Sequence, residues 1–235
     1  VMLHNYFPPP KAPFVLNLAS ADPTVLERSR RMVIDALDIS STLGATHYAV
    51  HSGYCLDPSV ESLGKPLCGD TVGTREAALD RLLTTTVQLA EHAKDVGVRL
   101  LIENHALSAR NLAKFGDNPL LLVDPTEILR FLSSTSGNVG LLLDVGHLKV
   151  SAHTLNFDPH EAMSDLLPLC EGFHLSDNDG VSDQHLCFEQ DAWFLPYLYG
   201  RSEFMTVEIH SVDHEESIRA AQNTIDYLAG AGGDA

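Results

Sequence analysis

Six short aliphatic runs of this chain end in, or next to, a residue that can bind a metal ion or move a proton: His4, His51, Glu103, Asp144, His174 and Glu208. An ionisable side chain among Val, Leu and Ile costs several kcal/mol unless it is paired or metal-bound. Such a recurrence therefore points to chemistry before packing. Glu103, Asp144, His174 and Glu208 are spaced by 41, 30 and 34 residues, each about one strand-plus-helix unit. Three carboxylates and one imidazole make a hard, oxygen-rich donor set suited to one divalent cation, Mn²⁺, Mg²⁺ or Co²⁺, with Zn²⁺ also accommodated. A further layer lies just beyond: His147, three residues after Asp144, and the pair Asp183 and His185 after His174, which are candidates for binding more metal or orienting a substrate. Lys149 is the one cation near these positions, read either as a surface lysine or as an anchor for a phosphate or carboxylate. His105 and His210 lie two residues past Glu103 and Glu208 and are minor pocket candidates.

The elements that must carry these residues alternate short β-branched or aliphatic runs with longer helical periods, the signature of repeated βα units around a parallel sheet. Strands are expected at 1–5 (VMLHN), 47–52 (HYAVHS), 98–104 (VRLLIEN), 139–145 (VGLLLDV), 172–176 (GFHLS) and 204–210 (FMTVEIH). The clearest helices run from Asp22 to Leu43, Thr74 to Val96, Asp124 to Ser134, Pro159 to Leu167 and His214 to Leu228, with Asp22 and Thr74 as caps and Pro23 at a first helical position. The connection from Tyr54 to Gly73 is about twenty residues without evident structure, so it is expected to be functional or mobile. In barrels and open α/β sheets the C-terminal strand ends carry the site, and all of the candidates fall there.

At 235 residues, 44% hydrophobic and 20% charged, with a mean hydropathy of -0.01, the chain has the balance of a globular protein, and one domain spanning 1–235 is expected. Thirty-two acidic against fifteen basic residues give -17, a field that disfavours nucleic acids and anionic membranes. No apolar run approaches a membrane span and no signal peptide is legible, so a cytoplasmic protein is expected. Cys55, Cys68, Cys170 and Cys187 contain no CxxC and are expected to be free thiols. No dinucleotide, P-loop or serine-hydrolase motif occurs.

The segments HNYFPPPKAPFVLNLAS, YAVHSGY, LLIENHALSARN, LLLDVGHLKVSA, GFHLSDNDGVSDQH and TVEIH together resemble the xylose isomerase-like TIM-barrel superfamily. That superfamily holds sugar and sugar-phosphate isomerases and epimerases as well as apurinic-site endonucleases. The resemblance covers nearly the whole chain and implies a (β/α) barrel. Its motif order maps VMLHN onto the third barrel strand, so the barrel is expected to be incomplete at the N-terminus, with six βα units visible and the first two missing. The chain opens inside a strand at Val1, which leaves open that residues upstream are absent. The unpaired sheet edges make a homo-oligomer plausible, with no segment identifying its interface.

In the epimerase branch the resemblance implies that Glu103, Asp144, His174 and Glu208 hold one divalent ion, that Glu103 and Glu208 also transfer protons, and that His147 contacts a sugar or sugar-phosphate substrate. Proton transfer next to a carbonyl, through a metal-stabilised enediolate, is then the expected chemistry. In the endonuclease branch it implies two or three zinc ions held by His4, His51, Glu103, Asp144, His147, His174, Asp183, His185 and Glu208, and phosphodiester hydrolysis. An inactive, non-catalytic member is the third reading. Two departures bear on substrate: LCFEQDAWF stands where many isomerase-like members are glycine-rich, and no arginine follows His174 before Arg201, against a simple ketohexose epimerase.

Overall fold

The structure is a computed structural model that describes residues 2–62, 65–69, 73–210 and 214–230. Val1, parts of the 54–73 connection and the last five residues of the tail lie outside that range. Six strands, β1 (Leu3–His4), β2 (His47–His51), β3 (Arg99–Glu103), β4 (Gly140–Asp144), β5 (Cys170–Leu175) and β6 (Phe204–Val207), pair in chain order, all parallel. Between and after them run α1 (Pro23–Thr42), α2 (Arg75–Asp95), α3 (Ala109–Phe115), α4 (Pro125–Ser134), α5 (Val145–Leu155), α6 (Pro159–Leu166) and α7 (His214–Gly230). None of the described helices is long and apolar enough to cross a membrane.

Helix starts follow local chemistry. Asp22 caps α1 by accepting from the Thr24 N–H with Pro23 in the first turn, Thr74 accepts from Ala77 N–H, and Asp124 accepts from Glu127 N–H. Two helices went unread in the sequence, α3 and α5. The first has seven residues, and the second starts on the heels of β4, where the apolar run LLLDV hides the change of period.

The sheet is strongly curled. Strands β1 and β5 stand four spacings apart, roughly 19 Å across a flat sheet, yet the rings of His4 and His174 at their tips are 4.8 Å apart. Six parallel strands thus form an arc of a barrel, with β1 and β6 as its outer strands among the described residues. Alternation then sorts the side chains. Tyr48, Val50, Leu100, Ile102, Leu141, Leu143, Phe173 and Leu175 face outward into one core with the helices, while Ala49, Leu101 and Leu142 form a thin inner layer with Met2 and Phe204. Two residues further along β1 to β4, the same inner facing brings up His4, His51, Glu103 and Asp144. Gly172 leaves room for the Phe204 ring, which a Cβ there would overlap.

The long connection after β2 is packed where it is described. Asn17, fully buried, donates through Nδ2 to the Tyr54 and Leu56 carbonyls and to Asp57 Oδ1, and its Oδ1 accepts from the Ala19 and Tyr54 N–H groups. At the far end Asn111 Oδ1 accepts from Leu67 N–H, and Lys114 Nζ donates to the Leu67 carbonyl. Tyr54, Leu56 and Leu67 join Val15, Leu107, Leu120 and Val123 in a separate apolar cluster. No disulfide joins Cys55, Cys68, Cys170 and Cys187 among the described residues.

Candidate metal centre

Glu103, the last residue of β3, is fully buried and stands at the middle of the cluster. Its Oε2 lies 2.6 Å from His4 Nε2 and 3.0 Å from His51 Nε2, and its Oε1 lies 3.2 Å from His174 Nδ1. His174 Nδ1 in turn is 2.8 Å from Glu208 Oε2 and 3.9 Å from Asp144 Oδ2. The ring nitrogen is nevertheless aimed at neither carboxylate in hydrogen-bonding geometry, and Glu103 Oε1, Asp144 Oδ2 and His174 Nδ1 are all buried without a hydrogen-bond partner. Buried lone pairs left unpaired cost free energy. Buried donor atoms brought this close together form a group that could hold a cation.

A second group sits beside the first. His147 Nε2 is 3.2 Å from Asp183 Oδ2, which His185 Nε2 approaches to 3.0 Å, while Asp183 Oδ1 and His185 Nδ1 are buried and unpaired. Three sets have donor atoms within 4.8 Å of one another: Glu103, Asp144, His174 and Glu208; His147, Asp183 and His185; and His4, Glu103 and His174. The oxygen and imidazole donors of all three fit a divalent cation.

Charge within the cluster is strongly coupled. Burial would push the Glu103 carboxyl up, but the His51, His4 and His174 imidazoles override it and hold it well below the usual range. Burial likewise opposes charge on His174, yet Glu103 and Glu208 raise it to about 10, and His174 keeps Glu208 down at about 2 against burial. His147 is lifted well above the ordinary imidazole value by Asp144 and Asp183 in spite of burial, and Asp183 is correspondingly depressed. Asp144 is raised, chiefly by burial. The ionised carboxylates of this buried site thus depend on positive charge among them, from protons or from cations.

A sequence model of the xylose isomerase-like TIM barrel family matches residues 1–229. The chain belongs to that family. Curated relatives include "Probable endonuclease 4" of Chlorobium phaeovibrioides, 27% identical over 146 residues, or 62% of this chain and 44% of the relative. The Thermoplasma acidophilum protein of the same name is 26% identical over 172 residues, 71% of this chain and 50% of its own length. The chain therefore spans about half the length of the curated relatives it matches. Among solved structures, a D-tagatose 3-epimerase-like protein superposes with a TM-score of 0.73 at 21% identity, over 98% of this chain and 78% of that one, a likeness of fold. The TTHB071 protein of Thermus thermophilus, from a crystal soaked with ZnCl2, gives 0.61 at 27% identity, over 94% of this chain and 76% of its own.

For this family member, all nine residues singled out at the strand ends converge: His4, His51, Glu103, Asp144, His147, His174, Asp183, His185 and Glu208. Lys149 is placed apart from them, its Nζ bound to Asp177 Oδ1 and the Asn178 carbonyl, each at 2.6 Å. Strand β6 ends at Val207, earlier than expected, so Glu208 and His210 reach the cluster from the turn beyond it; the His210 ring lies 4.3 Å from that of His185. His105 borders the cluster too, 5.0 Å from the His51 ring and 4.8 Å from that of Tyr54, and burial depresses its pKa strongly. Two supporting residues were not singled out in the sequence. Gly146 lets α5 begin against the site, since a Cβ there would lie 2.7 Å from Ser176 Oγ and 3.2 Å from Asp144 Oδ1. Asn104, directly after Glu103, holds the Asp144 backbone through its side chain.

Proposed function

We propose that residues 1–235 form one domain that works as a divalent-metal-dependent isomerase or epimerase of a sugar or sugar phosphate. The observation that carries this reading is the pair of carboxylates, Glu103 and Glu208, brought to 3.2 and 2.8 Å of the same atom, His174 Nδ1, from two different strand units. A cation held by Glu103, Asp144, His174 and Glu208 supplies a Lewis acid for a carbonyl and its neighbouring hydroxyl. Glu103, buried and approached by two imidazoles on Oε2, is the base for a carbon-bound proton. Glu208, one-third exposed at the mouth, returns the proton from the other side. The net charge of -17 and the engagement of Lys149 with Asp177 support a small substrate over a polyanion.

A second reading, a multi-zinc phosphodiesterase, is favoured by the second ligand group, His147, Asp183 and His185, and by the two imidazoles on Glu103 Oε2. The names of the curated relatives and the zinc soak of a neighbour support it.

Metal content per chain, on protein purified without chelator or metal-capturing tag, separates the two. About one manganese, magnesium or cobalt ion, with turnover in a panel of sugars and sugar phosphates that Glu208→Gln loses while keeping fold and metal, supports the first reading. Near-normal turnover in Glu208→Gln overturns it. Two or three zinc ions and cleavage of an abasic duplex support the second.

A further inference from the structure

We propose that Asn104 is a positioning residue that holds ligands of two different groups, Asp144 and His147, in register with Glu103. The proposal rests on the reading of this cluster as a cation site. The β3–β4 pairing ends at Glu103 and Leu142, so the backbone of Asp144 has no partner on β3. The Asn104 side chain continues the ladder in place of a peptide: Nδ2 donates to the Asp144 carbonyl at 3.1 Å, and Oδ1 accepts from the Asp144 N–H at 2.8 Å. With its backbone fixed at both polar groups, Asp144 turns Oδ1 to the His147 N–H at 2.7 Å and leaves Oδ2 unpaired toward His174.

The main chain of Asn104 acts on the other group. Its carbonyl is 2.7 Å from His147 Nδ1. A carbonyl only accepts, so Nδ1 carries the proton and Nε2 is the nitrogen presented to Asp183, 3.2 Å away. A hydrogen bond on the far ring nitrogen is how a ligating imidazole is oriented. Asn104 is 1% exposed and directly follows Glu103, so one buried residue holds two ligands beside a third.

The test compares the wild type with Asn104→Ala, Asn104→Asp and Ser29→Ala. Ser29 is a control: its hydroxyl accepts from Asn17 N–H and donates to the Val25 carbonyl, a buried pairing away from the ligands. Each protein is stripped with chelator, checked by circular dichroism and titrated with Co²⁺, read by visible absorption and chelator competition. Loss of such a supporting contact weakens metal binding about 10–100-fold. The expected result is that loss in Asn104→Ala with an altered cobalt spectrum, and wild-type affinity in Ser29→Ala. A folded Asn104→Ala with wild-type affinity and spectrum overturns the assignment, as does equal weakening in Ser29→Ala. Should Asn104→Ala fail to fold, Asn104→Asp decides: it keeps the acceptor for Asp144 N–H and loses the donor to its carbonyl, so weakened binding upholds the role and unchanged binding overturns it. A wild type that takes up no cobalt overturns the cation site itself, a separate outcome.

Discussion

Filling the cluster with cations should stabilise the fold by an amount that counts the ions. Glu103, Asp144, His174 and Glu208 share no residue with His147, Asp183 and His185, whereas the group with His4 shares Glu103 and His174 with the first. Two ions can therefore be held without a shared ligand. A ligand that binds only the folded chain adds about 4 kcal/mol at a thousandfold excess over its Kd. Chains of about 150–250 residues melt about 2–4 °C higher per kcal/mol. One ion should thus raise the melting temperature by about 8–16 °C over chelated protein, and two by about twice that. The assay is thermal unfolding followed by circular dichroism, with chelator, Mn²⁺ or Zn²⁺ in turn. Asp183→Asn should remove only the second increment, and Glu103→Gln the first. Coincident melts of chelated and loaded protein would refute the reasoning, because the unpaired buried atoms would then need another explanation.

Arg75→Ala should destabilise by about 1–3 kcal/mol, seen as a lower melting temperature. It removes a two-pronged pair with Glu127 at 2.9 and 2.7 Å and a bond to the Asn118 carbonyl, discounted for the partial exposure of both side chains. Gly172→Ala should cost about 1–3 kcal/mol by driving a methyl into the Phe204 ring, and Phe204→Leu in the same chain should recover most of it; equal melts of Gly172→Ala and wild type would contradict the overlap. Alkylation by iodoacetamide, followed by mass spectrometry, should label exposed Cys68 first and leave Cys170 unmodified until unfolding, since burial pushes the Cys170 thiol up to about 12. An unfolded thiol ionises near about 8.5, so this group makes the fold less stable as pH rises from there toward about 12.

Much of the centre was legible because strand alternation and βα spacing are simple periodicities. A polar residue ending an aliphatic run, as at Glu103 or Asp144, needs only period two to be placed on the inner face. What was not legible depends on contacts between segments. Lys149 is spent on Asp177, twenty-eight positions away, and no local pattern announces that pairing. Asn104 supports Asp144 only because β3 and β4 run side by side. Helix α5 was hidden because its cap, Asp144, is also a ligand candidate and its second residue is glycine. The loop after β2 looked unstructured because its order comes from Asn17 and Asn111, elsewhere in the chain.

Those two asparagines hold the loop from outside it, at two separate points. Asn17 ties residues up to Asp57, and Asn111 with Lys114 ties Leu67. Each anchor shortens the span over which closure entropy is lost, and halving a loop spares about 0.6 kcal/mol. With its first anchor fixed, Tyr54 stays against His105 at the border of the cluster. Change in that loop therefore reaches the cluster through its anchored end, beside the ligands and not through them.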